Sequence, residues 1–125
     1  MKFVNNMRRF KSFAISLRHA INGLSYAVSN EKNFQNEIIV ACLVIAAMIF
    51  YKVSPSEMIV LFLVIMGVLV MELLNTVMER IADILKPKVH PYVRVIKDLM
   101  AASVLVSSLL AIIIGLIIFI PHIMA

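Results

Sequence analysis

Leu99 to Ile120 is a run of 22 residues with no charge and nothing more polar than three serines. About 20 such residues match the roughly 30 Å hydrocarbon core of a bilayer. An isolated segment of that length satisfies its own backbone in lipid only as a helix. Two further apolar runs precede it. Met58 to Leu74 is broken only by Glu72, and Ile38 to Tyr51 has 14 uncharged residues and needs its flanking turns to span. The chain is 62% hydrophobic over 125 residues, against roughly 45–50% apolar in a soluble domain. A chain this small cannot hide that much apolar surface inside itself. The expectation is one all-α integral membrane domain over residues 1–125, with spans at about 34–52, 56–84 and 92–120.

The breaks between runs are marked by proline. Pro55 disfavours helical backbone at Ser54, and Ser54 is placed to cap the helix that follows, so the first two spans form a hairpin. Pro87 and Pro91 punctuate the segment between the second and third, read as a helix end, a loop, and a new helix starting near Tyr92. Lys2, Arg8, Arg9, Lys11, Arg18 and Lys32 precede the first span, and Arg80, Lys86, Lys88, Arg94 and Lys97 lie between the second and third. Only Lys52 lies at the Pro55 connection and no Lys or Arg follows Ile120. Six plus five against one predicts that both basic segments are cytoplasmic, with the Pro55 turn and the C-terminus outside.

Before the first span, Phe3, Met7, Phe10, Phe13 or Ala14, and Leu17 recur at steps of three or four, with the basic residues largely elsewhere around the turn. This predicts an amphipathic helix over about 3–30, lying in the interface and either anchoring the chain or walling a lipid-entry site. Met1 to Arg18 lacks a signal-peptide apolar region and is expected to be retained. The single cysteine, Cys42, permits no intrachain disulfide and reads as a small buried hydrophobe. No interleaving of basic and aromatic residues suggests a nucleic-acid partner.

Six of the seven carboxylates fall towards one membrane face: Glu31, Glu37, Glu72, Glu79, Asp83 and Asp98, with Glu57 alone on the other. On a helix, Glu72, Asn75, Glu79 and Asp83 share an arc of about 80°. A carboxylate in an apolar span is costly and marks a partner or a functional site. Like charges on one stripe also call for a compensating cation, either nearby Arg and Lys or a divalent metal. In phosphoryl transfer Mg²⁺ is held by one or two carboxylates and the substrate phosphates, and a base orients the attacking hydroxyl. Glu31 and Glu79 are candidate metal ligands, Lys97 and His90 candidate phosphate contacts, and Glu72 the candidate base. The alternative is a set of salt bridges to Arg80, Lys88, Arg94 and Lys97. With glycine only at positions 23, 67 and 115, a Gly-rich phosphate loop is absent.

The segment Glu72-Leu73-Leu74-Asn75-Thr76-Val77-Met78-Glu79-Arg80-Ile81-Ala82-Asp83 resembles the signature of the prokaryotic diacylglycerol and undecaprenol kinases. That signature runs Glu, hydrophobic, any, Asn, Ser/Thr, small, hydrophobic, Glu, any, any, hydrophobic, Asp. Asn30 to Glu37 upstream, and His90 with Lys97-Asp98 downstream, agree in order and spacing. The resemblance implies an ATP-dependent, Mg²⁺-requiring lipid kinase, folded as a homotrimer with composite sites at the cytoplasmic face. It implies Glu72 as general base and Glu31 and Glu79 as ligands of the metal on ATP. Asn75, His90, Lys97 and Asp98 would contact the nucleotide, with Glu37 and Asp83 in support. Val77 in place of a small residue, Ala82 in place of a larger aliphatic, and Leu99-Met100 after Lys97-Asp98 depart from the pattern and bear on helix packing.

Lys11-Ser12-Phe13, Asn33-Phe34-Gln35, the Glu-Leu-Leu-Asn-Thr form of the signature and the Phe119-Ile120-Pro121 ending look more like the Gram-positive undecaprenol branch. Undecaprenol is therefore the expected lipid, with diacylglycerol as the alternative. A reading of another class, a small transport or pore subunit using the acids as an ion path, predicts carboxylates continuing across the membrane, and the third span carries no charge after Asp98.

Overall fold

The computed structural model describes residues 1–85 and 91–125, and the proline-punctuated loop expected around residues 86–90 lies outside them. The described residues form four helices: α1 (Lys2–Asn30), α2 (Lys32–Phe50), α3 (Pro55–Leu85) and α4 (Tyr92–Met124). Of these, α2, α3 and α4 are long and apolar enough to cross a membrane.

α1 and α2 are separated by one residue. Glu31 takes an extended backbone (φ −106°, ψ 105°) between them. At the end of α1 the Val28 carbonyl, which no helical N–H meets, accepts from Gln35 Nε2 at 2.8 Å, and Asn30 Nδ2 adds a bond to the Tyr26 carbonyl at 3.0 Å. The first of these satisfies a group that a helix end otherwise leaves open.

The α2–α3 turn is built from two capping devices. Val53 N–H donates to the Met48 carbonyl and Lys52 N–H to that of Ile49, the Schellman pattern. Lys52 supplies the left-handed residue (φ 50°) that this pattern needs. Ser54 and Glu57 then cap α3 reciprocally. The Ser54 N–H donates to Glu57 Oε2 at 2.9 Å, and the Glu57 N–H to Ser54 Oγ at 3.3 Å. The cap expected of Ser54 is thus present, with a partner three residues on.

α3 and α4 form the most extensive helix pair, while α1 touches the rest chiefly through α2. Met48, Val53, Leu61 and Ile118 make a small core beside the Pro55 turn. Tyr51 and Phe119 stack against it with ring centroids 6.1 Å apart. α4 runs past Ile120, where the span was expected to stop, through Pro121 to Met124. A proline costs most in a helix interior. Here it sits in the last turn, and His122 just beyond it is held by Glu57 of α3.

Most large apolar side chains are exposed on this chain, as lipid-facing residues are. Cys42 is among the exposed residues, contrary to the buried position expected, because it lies on a face of α2 turned away from the rest of the chain. A Cβ at Gly23, Gly67 or Gly115 would meet nothing within 4 Å, so none of the three marks a close helix approach. Ser103 and Ser107 turn their hydroxyls back to the carbonyls of Leu99 and Ser103, which is how serine hides its polarity in a membrane helix.

Candidate active site

The buried face of α3 is also its acidic face. Glu72 is 3% exposed, Asn75 6% and Thr76 7%, while Glu79 is half-buried and Asp83 exposed. The stripe inferred from helical spacing therefore runs from the bundle interior outward. Asn75 Nδ2 donates to Glu79 Oε1 at 3.4 Å, one helical turn away.

Around Glu72 the fold gathers groups from two other places. Glu31, at the α1–α2 break, and Glu79 both lie close enough to repel its charge, and the Asn33 amide donates towards it. Glu37, one turn further along α2, also faces Glu72. Glu37 Oε2 is buried with no hydrogen-bond partner. Four carboxylates thus meet at one end of the bundle. Carboxylates that share a site out of water destabilise one another unless a cation or a proton intervenes.

One cation is already present. Arg80 Nη2 forms an ion pair with Glu31 Oε1, and Arg80 Nη1 lies 4.0 Å from Asp83. Lys97 Nζ, from α4, lies 3.7 Å from the other oxygen of Asp83. A charge chain Glu31–Arg80–Asp83–Lys97 therefore links the α1–α2 break to α4 across the last turns of α3. Salt bridges to Arg80 and Lys97, held open as an alternative from sequence, are present alongside the acidic cluster. Asp98 is exposed beside Lys97, and His90 lies outside the described residues.

Glu31 and Glu79 offer oxygen donors only, the type that Mg²⁺ takes. Among the described residues no three His, Cys, Asp or Glu side chains converge to hold a metal by themselves.

From the acidic end an apolar groove of about 480 Å³ runs between α2, α3 and α4, with Glu37 at its polar end. Val44, Leu61, Ile65 and Leu69 line it, and Gly115 keeps its α4 wall low. This groove had no signal in the sequence, since its walls come from three helices. A second groove separates α1 from α3, lined by Gly23, Leu24, Leu73 and Val77 among others. Val77 and Leu99, two of the departures noted above, are exposed on this chain, so they do not disturb packing within it.

The prokaryotic diacylglycerol kinase family matches residues 18–119. The undecaprenol kinase of Bacillus subtilis is 38% identical over 114 residues, which cover 91% of this chain and 89% of that protein. A diacylglycerol kinase of Synechocystis is 30% identical over 89% of this chain and 64% of its own length. A diacylglycerol kinase of Haemophilus influenzae is 30% identical over 74% and 78% respectively.

Proposed function

The chain belongs to the prokaryotic diacylglycerol kinase family and is a membrane lipid kinase using ATP, and we propose that its lipid is undecaprenol, phosphorylated on the hydroxyl at the cytoplasmic face. The observation that carries the site is Glu72, buried at the head of an apolar bundle beside Glu37 and the groove it opens.

The groove takes the hydrocarbon of the lipid, and its polar end leaves the hydroxyl near Glu37 and Glu72. Glu72 accepts the hydroxyl proton as the oxygen attacks the γ-phosphorus and the bond to the β–γ bridging oxygen breaks, releasing ADP. Glu72 is buried on the inner face of α3, within reach of a hydroxyl at the polar end of the groove, which is the placement a general base needs. Glu31 and Glu79 hold the Mg²⁺ of the nucleotide. Bound there, the ion would supply positive charge to offset what builds on the phosphates during transfer. Asn75 orients Glu79 through its amide. Lys97 and Asp98, with His90, contact the nucleotide, and Asp83 holds Lys97 in place.

Assembly as a homotrimer covers the apolar faces of α2 and α4 and lets one protomer complete the site of another. The basic ends face the cytoplasm, where ATP is found, in a bacterial inner membrane. α1 lies in the interface, its exposed phenylalanines in the acyl layer.

Undecaprenol is favoured over diacylglycerol by the higher identity to the Bacillus subtilis undecaprenol kinase. Side-by-side assays of the purified protein in mixed micelles, with Mg·ATP and either lipid, test the choice. Higher kcat/KM on undecaprenol supports it, and higher kcat/KM on diacylglycerol reverses it.

A further inference from the structure

Arg80 stands at a position where the family signature accepts any residue, yet here it closes on Glu31. The two are 49 residues apart in sequence, and the contact ties the α1–α2 break to α3. Glu31 is largely enclosed, its side chain 13% exposed, whereas that of Arg80 is 50% exposed. The cation thus reaches the carboxylate from the water side, from which a nucleotide would also arrive. Asp83 stands on the far side of the guanidinium, within 4.0 Å, and gives it a second carboxylate to rest against. Lys97 is the next cation along, already on Asp83.

We propose that Arg80 is a resident counter-cation, holding Glu31 when no metal is bound and competing with the divalent ion of the nucleotide for that carboxylate. The inference rests on the reading of Glu31 as a metal ligand. Glu31 beside Glu72 with no cation at all would leave two carboxylates facing each other at the edge of the hydrocarbon, and Arg80 relieves this in the metal-free protein. A guanidinium on Glu31 Oε1 occupies one donor oxygen and repels an approaching divalent ion, so the carboxylate is a poorer metal ligand while Arg80 holds it. Arg80 released from Glu31 remains beside Asp83, near the side chains assigned to the nucleotide. Arg80 is therefore a positioning residue that sets how readily metal binds without nucleotide.

The experiment is a Mn²⁺ titration of the full chain in detergent micelles without nucleotide, reading free Mn²⁺ by electron paramagnetic resonance. Arg80→Gln should tighten Mn²⁺ binding by about threefold or more, with the gain shrinking as ionic strength rises. Loss of a merely structural contact would not improve metal binding. In the Glu31→Gln background, Arg80→Gln should bring no gain. Where the Gln variant is unstable, Arg80→Met, which keeps the apolar stem, is measured in its place. Unchanged or weaker binding in a folded Arg80 variant overturns the inference, provided Glu31→Gln alone weakens binding. Wild-type affinity in Glu31→Gln overturns the ligand reading itself, and the inference with it.

Discussion

His122 Nε2, in the last turn of α4, lies 3.0 Å from Glu57 Oε2, in the first turn of α3. The same carboxylate caps α3 by accepting the Ser54 N–H. One side chain therefore starts one helix and fastens the end of another, at the pole opposite the acidic cluster.

Glu57→Ala removes the cap and the pair together, so it should lower the melting temperature in detergent by several degrees and leave kinase activity measured at low temperature unchanged. His122→Ala removes only the pair and should lower it less. Differential scanning fluorimetry on both variants checks the order. Equal melting temperatures for the two would deny Glu57 its double use.

Lys52 occupies the left-handed corner of the α2–α3 turn (φ 50°). A side chain costs about 1–2 kcal/mol there, and glycine escapes that cost while giving back about 0.5–1 kcal/mol through its freer unfolded chain. Lys52→Gly should thus stabilise by about 0–1.5 kcal/mol, read as an equal or higher melting temperature, and Lys52→Val should destabilise.

Much of this was legible beforehand, and the reason is local periodicity. The spans follow from runs of apolar residues, and the Glu72–Asp83 stripe follows from the helical repeat alone. Asn75 and Glu79 were expected on one face and do touch. The Glu31–Arg80 pair was not legible, because two residues 49 positions apart meet only once α1, α2 and α3 are packed. The groove was hidden for the same reason. Gly115 borders open space, which no local pattern shows. α4 continues past the apolar run that bounded the expected span, and the hold of Glu57 on His122 lies outside any local pattern.

Gly115 makes the groove testable. Gly115→Ala has room and should be silent. Gly115→Leu fills the space beside Leu61 and Ile65, and should raise the KM for a long-chain lipid several-fold while leaving the KM for Mg·ATP alone. Steady-state kinetics with each substrate varied in turn makes the measurement. An equal rise in both KM values would argue against the groove as the lipid's place.

Orientation is open to chemical labelling. In a Cys42→Ala background, Ser56→Cys should react with a membrane-impermeant maleimide added to intact spheroplasts, and Arg94→Cys only after permeabilisation. The reverse pattern would invert the topology and put the acidic cluster on the wrong side for ATP.

The central claim is that Glu72 takes the proton of the lipid hydroxyl. Its most direct test is the rate of γ-phosphate transfer from Mg·ATP to undecaprenol by Glu72→Gln, a near-isosteric change at a buried position. Loss of the base predicts a fall in kcat of about 10²–10⁴-fold, with melting temperature and nucleotide affinity near those of the unaltered protein. A folded Glu72→Gln protein that transfers phosphate at the full rate would contradict it.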